Sequence, residues 1–199
     1  MQKNYLRAFV AIFVFVLSFS FAGFAQSTPQ SFPNIDIINF GKMDDRFYRG
    51  AQPEKDDYQA LKELGIQTVI DLRNDPTDYE KTEVEALGMK YVNIPMSGWK
   101  YPKDEQIAQF LEVVNNPETG VFYVHCKAGK HRTGVTGAVY RMTKYGWNYD
   151  SAYLEMKQYN FTTWMVHRSL KTFVRDYAEK LKTEQAKLNV AEKSSQIGQ

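Results

Sequence analysis

The single cysteine of the chain, Cys126, lies in a run of residues suited to chemistry on phosphate. The run 121–134 reads VFYVHCKAGKHRTG, in which an apolar strand pattern leads into a glycine-containing loop and then a helix. Ligands of α/β sheets bind at the carboxyl ends of strands, and helix N-termini offer unpaired N–H groups to anions. The same positive field lowers the pKa of a thiol, and a thiolate beside a phosphate is a nucleophile for phosphoryl transfer. Arg132, six residues after Cys126, can bind two phosphate oxygens at once.

This run contains His-Cys-x5-Arg-Thr-Gly, and it resembles the signature of the cysteine-dependent protein tyrosine phosphatase superfamily. The resemblance implies that Cys126 attacks phosphorus, that Arg132 binds the phosphate and that Thr133 donates to the sulfur in the second step. It implies that His125 orients the loop and helps to keep the thiol ionised. The phosphate cradle implied by the resemblance is made by backbone N–H groups of Lys127, Ala128, Gly129, Lys130, His131 and Arg132.

The resemblance extends beyond the signature, over about residues 45–160. The segments Tyr48–Pro53, Asp71–Arg73 and Tyr91–Pro95 are similar to the framework of small dual-specificity phosphatases, including bacterial periplasmic ones. The resemblance implies a fold of the dual-specificity phosphatase type and a reaction without a cofactor. With three histidines and one cysteine that is already committed, the sequence predicts no metal site.

Hydrophobic periodicity predicts an α/β fold with a central, mostly parallel sheet flanked by helices, because strands and helices alternate over the first two-thirds of the chain. The predicted strands lie near residues 47–49, 67–72, 90–94 and 121–124. The predicted helices lie near residues 54–64, 79–87, 102–114, 133–145, 150–159 and 163–187.

The N-terminus has the pattern of a secretory signal peptide. Lys3 and Arg7 precede an apolar run, and Gly23 and Ala25 provide the small residues of a cleavage site after Ala25. The alternative is an uncleaved membrane anchor, for which the apolar run is short. The sequence therefore predicts a signal peptide over 1–25, a lead-in over 26–44 with an exposed start, a catalytic domain over 45–187 and a flexible tail over 188–199. Cleavage would make the protein periplasmic or secreted.

Composition excludes a disordered chain and a strongly basic nucleic-acid binder. The chain has 25 basic and 23 acidic residues, and the predicted cleavage removes Lys3 and Arg7, which leaves 23 of each. Attraction for anions must therefore come from local clustering of charge. We expect neither a nucleic acid nor, in the mature form, a membrane as partner.

The general acid that protonates the leaving oxygen is not evident from the sequence. Enzymes of this superfamily place an aspartate in the loop that here reads PMSGWKYP over residues 95–102, which has no carboxylate. Asp104 is the nearest candidate, although it also fits the start of a helix, where carboxylates favour the N–H groups. Asp75 is a second candidate that also fits a turn before Pro76. A third alternative is that no protein acid is used.

The sequence leaves the substrate open between phosphotyrosine proteins and inositol phosphates. The loop CKAGKHRTG is similar to those of lipid- and inositol-phosphate phosphatases, in which cations such as Lys127 and Lys130 favour polyanions. Trp99 and Tyr101 are candidates for a pocket wall, whereas His167 is interpreted as a structural residue of the last helix. A phosphate-binding module with little turnover is a further alternative. A sulfurtransferase or arsenate reductase is disfavoured by the spacing and the late position of the cysteine.

Overall fold

The computed structural model describes residues 32–164 and 167–197, so the predicted signal peptide lies outside the described residues. The strands are β1 Gly41–Lys42, β2 Phe47–Ala51, β3 Thr68–Arg73, β4 Lys90–Met96 and β5 Phe122–Cys126. The helices are α1 Asp57–Glu63, α2 Glu80–Ala86, α3 Asp104–Asn115, α4 Arg132–Tyr145, α5 Tyr149–Gln158 and α6 Arg168–Ile197, with a short 3-10 helix at Pro117–Thr119.

The five strands form one sheet in the order β1-β2-β5-β3-β4. Only the β1–β2 pair is antiparallel, which confirms the predicted mostly parallel sheet. Strand β5 lies between β2 and β3, so that Cys126 pairs with Ala51 on one side and His125 with Asp71 on the other. The strand that carries the nucleophile candidate is therefore held from both sides at its carboxyl end, where loops meet in a parallel sheet.

Helices cover both faces of the sheet, and the alternation of side chains along β5 divides the core in two. Phe122, Val124 and Cys126 belong to the core beneath α3, α4, α5 and α6, whereas Tyr123 belongs to the core beneath α1 and α2. His125 alternates with Cys126 and therefore points toward the α1–α2 face. His125 and Cys126, although adjacent in the chain, therefore lie on opposite faces of the sheet.

The two ends of the described chain differ from the prediction. Part of the predicted exposed lead-in packs on the domain: Ile37 is buried, and Phe40 stacks on Tyr123 with ring centroids 5.8 Å apart. Helix α6 begins later than predicted, at Arg168, and the predicted flexible tail is helical as far as Ile197. No helix of the described residues is long and apolar enough to cross a membrane.

Candidate active site

A pocket of about 370 Å³ opens where the loop after β5 meets the loops after β3 and β4. Cys126 lines the pocket, and its side chain is almost wholly buried. The pocket is lined by Asn74, Asp75, Gly98, Trp99, Cys126, Lys127, Ala128, His131, Arg132 and His167. The signature residues and the carboxyl ends of two neighbouring strands thus converge on one thiol.

The surroundings of Cys126 favour its thiolate. Burial alone raises the pKa of a thiol, because the charged form loses its hydration. At Cys126, the polar groups around the sulfur, first among them the hydroxyl and the backbone N–H of Thr133, together outweigh burial and hold the pKa below its ordinary value. The charge of Arg132 and the N–H of Ala128 act in the same direction. A thiolate of this kind is a nucleophile at neutral pH.

The loop between β5 and α4 is bound from outside through its carbonyl groups. The Gln52 N–H donates to the carbonyl of Lys127 at 3.4 Å, and the Asn39 side chain donates to that of Ala128 at 2.7 Å. The Arg49 guanidinium donates to the carbonyl of Gly129 at 2.5 Å. Since the N–H of a trans peptide points opposite to its C=O, these contacts turn the N–H groups of the next three residues toward the interior of the loop. That these N–H groups bind phosphate stays a prediction, and the contacts to the carbonyls are the feature of the fold that supports it.

Arg49 was given no role from the sequence, yet it holds this loop against the sheet. The side chain is fully buried, and its guanidinium lies 3.9 Å from the centre of the Tyr159 ring. Burial lowers the pKa of Arg49 to about 10, which leaves the side chain charged at neutral pH. The sequence places Arg49 in a framework strand. It does not show the contact with the Gly129 carbonyl, because the two residues are 80 positions apart in the chain.

Arg132 is fixed at the mouth of the pocket by groups that only the tertiary structure brings together. Its Nη1 lies 3.1 Å from the carbonyl of Met96, 3.2 Å from the Asn74 side chain and 3.3 Å from the carbonyl of Leu72. No described residue hydrogen-bonds its Nε or Nη2. This arrangement orients the guanidinium and leaves a pair of donors for an anion.

One wall of the pocket is a stack of rings from three separate segments. The His131 and His167 rings lie 3.4 Å apart and nearly parallel, and Trp99 stacks on the outer side of His167 at 6.0 Å. The His167 Nδ1 lies 2.9 Å from the carbonyl of Gly98. Burial and the neighbouring His167 lower the pKa of His131 to about 4, so that its ring is neutral at neutral pH.

This wall corrects two predictions about the site. His167 lines the pocket from the residue before α6, and not from within the last helix, while its interpretation as a structural residue stays a prediction. Tyr101 packs on α6, with its ring 5.2 Å from that of Phe173, and does not line the pocket as Trp99 does. Of the two predicted loop cations, Lys127 lines the pocket and Lys130 does not.

The structure brings the second carboxylate candidate, and not the first, to the pocket. Asp104 is the exposed first residue of α3 and lines a separate surface hollow with Pro95 and Gln106, so the structure does not bring it to Cys126. Asp75 lines the pocket instead, and one of its carboxylate oxygens lies 3.4 Å from a guanidinium nitrogen of Arg73. Arg73 holds the pKa of the Asp75 carboxyl below its ordinary value.

Three buried ionisable side chains lie beneath the site and were not predicted as a group. Asp71, Glu80 and His125 bring donor atoms within 4.8 Å of one another, and they are the set among the described residues that can hold a metal ion. The His125 Nε2 is already 2.8 Å from a Glu80 oxygen, which is the distance of an ion pair. We assign no metal to this cluster, and the absence of a metal from the reaction stays a prediction.

We expect Gly129→Ala to disrupt the loop, because a Cβ there would lie 2.5 Å from the backbone carbon of Gly50. Gly146→Ala is a matched control: both glycines have φ +65°, and a Cβ at Gly146 meets nothing within 4 Å. Urea unfolding should show a loss of about 1 kcal/mol for the control, from the left-handed backbone alone. Gly129→Ala should lose about 2–4 kcal/mol and bind inorganic phosphate at least about tenfold more weakly. Equal effects of the two substitutions would show that the close approach to β2 is not required.

The comparisons with known families agree with this geometry. Residues 27–176 match the model of the family described as "DSP-PTPase phosphatase fused to NAD+ Kinase". The match covers the sheet, the loop after β5 and the start of α6. Both the pocket and the elements that build it therefore lie inside the matched region.

Individual relatives have similar sequences and the same fold. The chain is 26% identical over 124 residues to the dual specificity protein phosphatase TpbA of Pseudomonas aeruginosa, covering 62% of this chain and 56% of the relative. It is 27% identical over 132 residues to the inositol diphosphatase SIW14 of Saccharomyces cerevisiae, covering 62% of this chain and 46% of the relative. The chain thus spans about half the length of these two curated relatives.

Crystal structures of the same two proteins superpose on the model. The TM-score is 0.61 for TpbA at 26% identity, over 70% of this chain and 84% of that chain. It is 0.63 for the SIW14 catalytic core at 23% identity, over 78% of this chain and 96% of that chain, a similarity that concerns the fold alone. The chain belongs to the DSP-PTPase family matched above and is a cysteine-dependent phosphatase of the protein tyrosine phosphatase superfamily.

Proposed function

We propose that this phosphatase hydrolyses phosphate monoesters at Cys126 through a cysteinyl-phosphate intermediate. The observation that carries the proposal is the position of one low-pKa thiol inside a loop whose N–H groups are turned inward. A phosphate-binding module without turnover would need neither a reactive thiol nor a hydroxyl directed at its sulfur. The same few residues therefore support both the binding of phosphate and the nucleophilic attack on phosphorus.

In the first step, the sulfur of Cys126 attacks phosphorus, the S–P bond forms and the bond to the leaving oxygen breaks. The transferred phosphoryl group carries its charge on three oxygens, which the inward N–H groups and Arg132 stabilise. Arg132 reaches these oxygens with Nε and Nη2, while its Nη1 remains bound to backbone carbonyls. The protein thus contributes mainly orientation and electrostatic stabilisation.

In the second step, water attacks phosphorus, and the sulfur of Cys126 leaves as a thiolate. The Thr133 hydroxyl faces this sulfur, is fully buried, and is engaged by no other described side chain. A hydrogen bond to the departing thiolate stabilises the charge that develops on sulfur. Thr133 therefore acts when the intermediate breaks down.

We propose Asp75, rather than Asp104, as the acid that protonates the leaving oxygen and the base that activates water. Asp75 lines the pocket, whereas Asp104 lies in another hollow. Arg73 favours the ionised form of Asp75, which is the form needed for the second step. A bound phosphate dianion raises the pKa of the Asp75 carboxyl, because two negative charges repel each other. Bound substrate therefore favours the protonated form of Asp75, which the first step needs.

We propose phosphotyrosine-type protein substrates, with dual specificity, as the main substrate class. The exposed Trp99 ring at the pocket is a surface on which an aromatic leaving group can stack. The relative TpbA is named a dual specificity protein phosphatase. The second candidate class is inositol phosphates, which Lys127 at the pocket favours, and SIW14 is named an inositol diphosphatase.

We propose that the protein is exported to the periplasm or secreted after cleavage near Ala25. The n-region, the apolar run and the small residues before the cleavage site support this localisation. An exported phosphatase would meet its substrates outside the cytoplasm.

Cys126→Ser should abolish turnover, because a serine hydroxyl is not ionised at neutral pH and cannot replace the thiolate. The loop keeps its N–H groups, so inorganic phosphate should still bind with a Kd within about threefold of that of the wild-type protein. Steady-state kinetics and isothermal titration with phosphate measure the two effects. Residual activity near that of the wild type would contradict the mechanism.

Asp75→Asn should lower kcat on a phosphotyrosine peptide by about 100-fold, since a tyrosine oxygen leaves poorly without a proton. On p-nitrophenyl phosphate the loss should be less than about tenfold, because nitrophenolate is a good leaving group. The matched control Asp104→Asn should leave both rates unchanged. Losses of equal size on the two substrates would show that Asp75 is not the acid.

The substrate class is tested with the chain 26–199 on a phosphotyrosine peptide and on inositol hexakisphosphate. We expect kcat/KM to be at least about tenfold higher on the peptide, a difference of about 1.4 kcal/mol in transition-state stabilisation. Lys127→Ala should reduce the activity on the inositol phosphate more than that on the peptide. A preference for the inositol phosphate would make the second candidate class the correct one.

A further inference from the structure

Beneath the candidate active site, Asp71 of β3, Glu80 of α2 and His125 of β5 form a buried charged cluster. None of the three side chains has any exposed surface. Removing ionised groups from water costs several kcal/mol for each group unless partners compensate. The members of this buried cluster must therefore compensate one another's charges.

The cluster surrounds an imidazole with carboxylates at both of its nitrogens. A Glu80 oxygen lies 2.8 Å from Nε2 of His125, and an Asp71 oxygen lies 3.9 Å from Nδ1. Asp71 is itself held by the N–H of Arg73 at 2.8 Å and the hydroxyl of Tyr91 at 3.1 Å. Neither nitrogen of His125 has a hydrogen-bond partner among the described residues, so its contact with Glu80 is that of an ion pair. Two carboxylates around an imidazole favour its doubly protonated, positively charged form through their negative charges.

The other groups around the cluster do not supply this positive charge. Tyr58, Tyr91 and Tyr123 are phenols whose pKa values burial raises, so they stay neutral. Arg73 directs its guanidinium elsewhere, to the side chain of Gln52 and to Asp75. Burial of His125 lowers its pKa, but the two carboxylates outweigh burial and raise the pKa above its ordinary value. The positive charge of the cluster therefore lies on His125.

The orientation of the ion pair determines its effect on the thiol. His125 is the chain neighbour of Cys126, and Glu80 contacts Nε2, the ring nitrogen remote from the backbone. The positive end of the ion pair thus belongs to the residue next to Cys126, and the charges of the two side chains interact, since Cys126 raises the pKa of His125. In a buried region of low dielectric constant, a nearby cation stabilises a thiolate more than a distant anion destabilises it.

We propose that Glu80 and Asp71 are positioning residues that hold His125 as an imidazolium and thereby keep the Cys126 thiol ionised. This inference rests on the proposed role of Cys126 as nucleophile. It assigns a task in the reaction to α2, a helix that does not line the pocket. The two carboxylates act through His125 and touch neither substrate nor sulfur.

The test uses the only cysteine of the chain as its own reporter. Alkylation by iodoacetamide between pH 4.5 and 9 gives the apparent thiol pKa without any need for turnover. In Glu80→Gln, this apparent pKa should rise by about one pH unit, so that alkylation becomes about tenfold slower at pH values below both apparent pKa values. The matched control is Glu83→Gln, which removes a more exposed carboxylate of the same helix and should leave the curve unchanged.

The outcomes separate this inference from the proposed function. An apparent pKa near that of an ordinary thiol in the wild-type protein would overturn the nucleophile itself. A low value in the wild type that is unchanged in folded Glu80→Gln would overturn only the role of Glu80. The acid limb of the kcat/KM profile should move in parallel with the alkylation curve, which a merely structural defect would not produce.

A second measurement needs no substitution and covers the case in which Glu80→Gln does not fold. Nitrogen NMR of the wild-type protein with labelled histidine resolves the three imidazoles of the chain. A charged His125 ring at pH 7.5 would support the proposal. A neutral ring at that pH would overturn it.

Discussion

The site depends on the way in which β2 and the lead-in bind the carbonyls of the loop after β5. A loop of consecutive peptide groups has no intrinsic reason to point its N–H groups at a common centre, because each group can rotate. Here Asn39, Gln52 and Arg49 bind three successive carbonyls from outside, which turns the opposite N–H groups inward. The close approach of Gly129 to the backbone of Gly50 belongs to the same contact. The site for an anion is thus prepared before any anion binds.

Charge is concentrated at this site in a chain that is otherwise almost balanced. The buried cations are each compensated by a different kind of partner: backbone carbonyls face Arg132, the Tyr159 ring faces Arg49, and two carboxylates face His125. Such compensation is necessary because an unpaired buried charge is costly. Neither Asp71 nor Glu80 lines the pocket.

The ring stack in the pocket wall makes the shape of the pocket depend on the C-terminal part of the fold. His167 precedes α6 and stacks on His131 of the phosphate loop, while Trp99 extends the stack from the loop after β4. The three rings meet only when α6 is docked, so the shape of the pocket depends on packing far from the sulfur. Asp75, the proposed acid, reaches the same pocket from the loop after β3.

The sequence by itself determined the α/β fold and the place of the reactive loop, because both depend on local patterns. Buried strands, helices that end at glycines, and the Cys126-to-Arg132 spacing are all readable along the chain. Only the tertiary structure decided which distant groups reach the site: Arg49 and His167 contact the loop, Glu80 reaches His125 on the strand before it, and Asp104 does not line the pocket. A single sequence contains no measure of distance between segments, and a carboxylate or imidazole acts only on the atoms it touches.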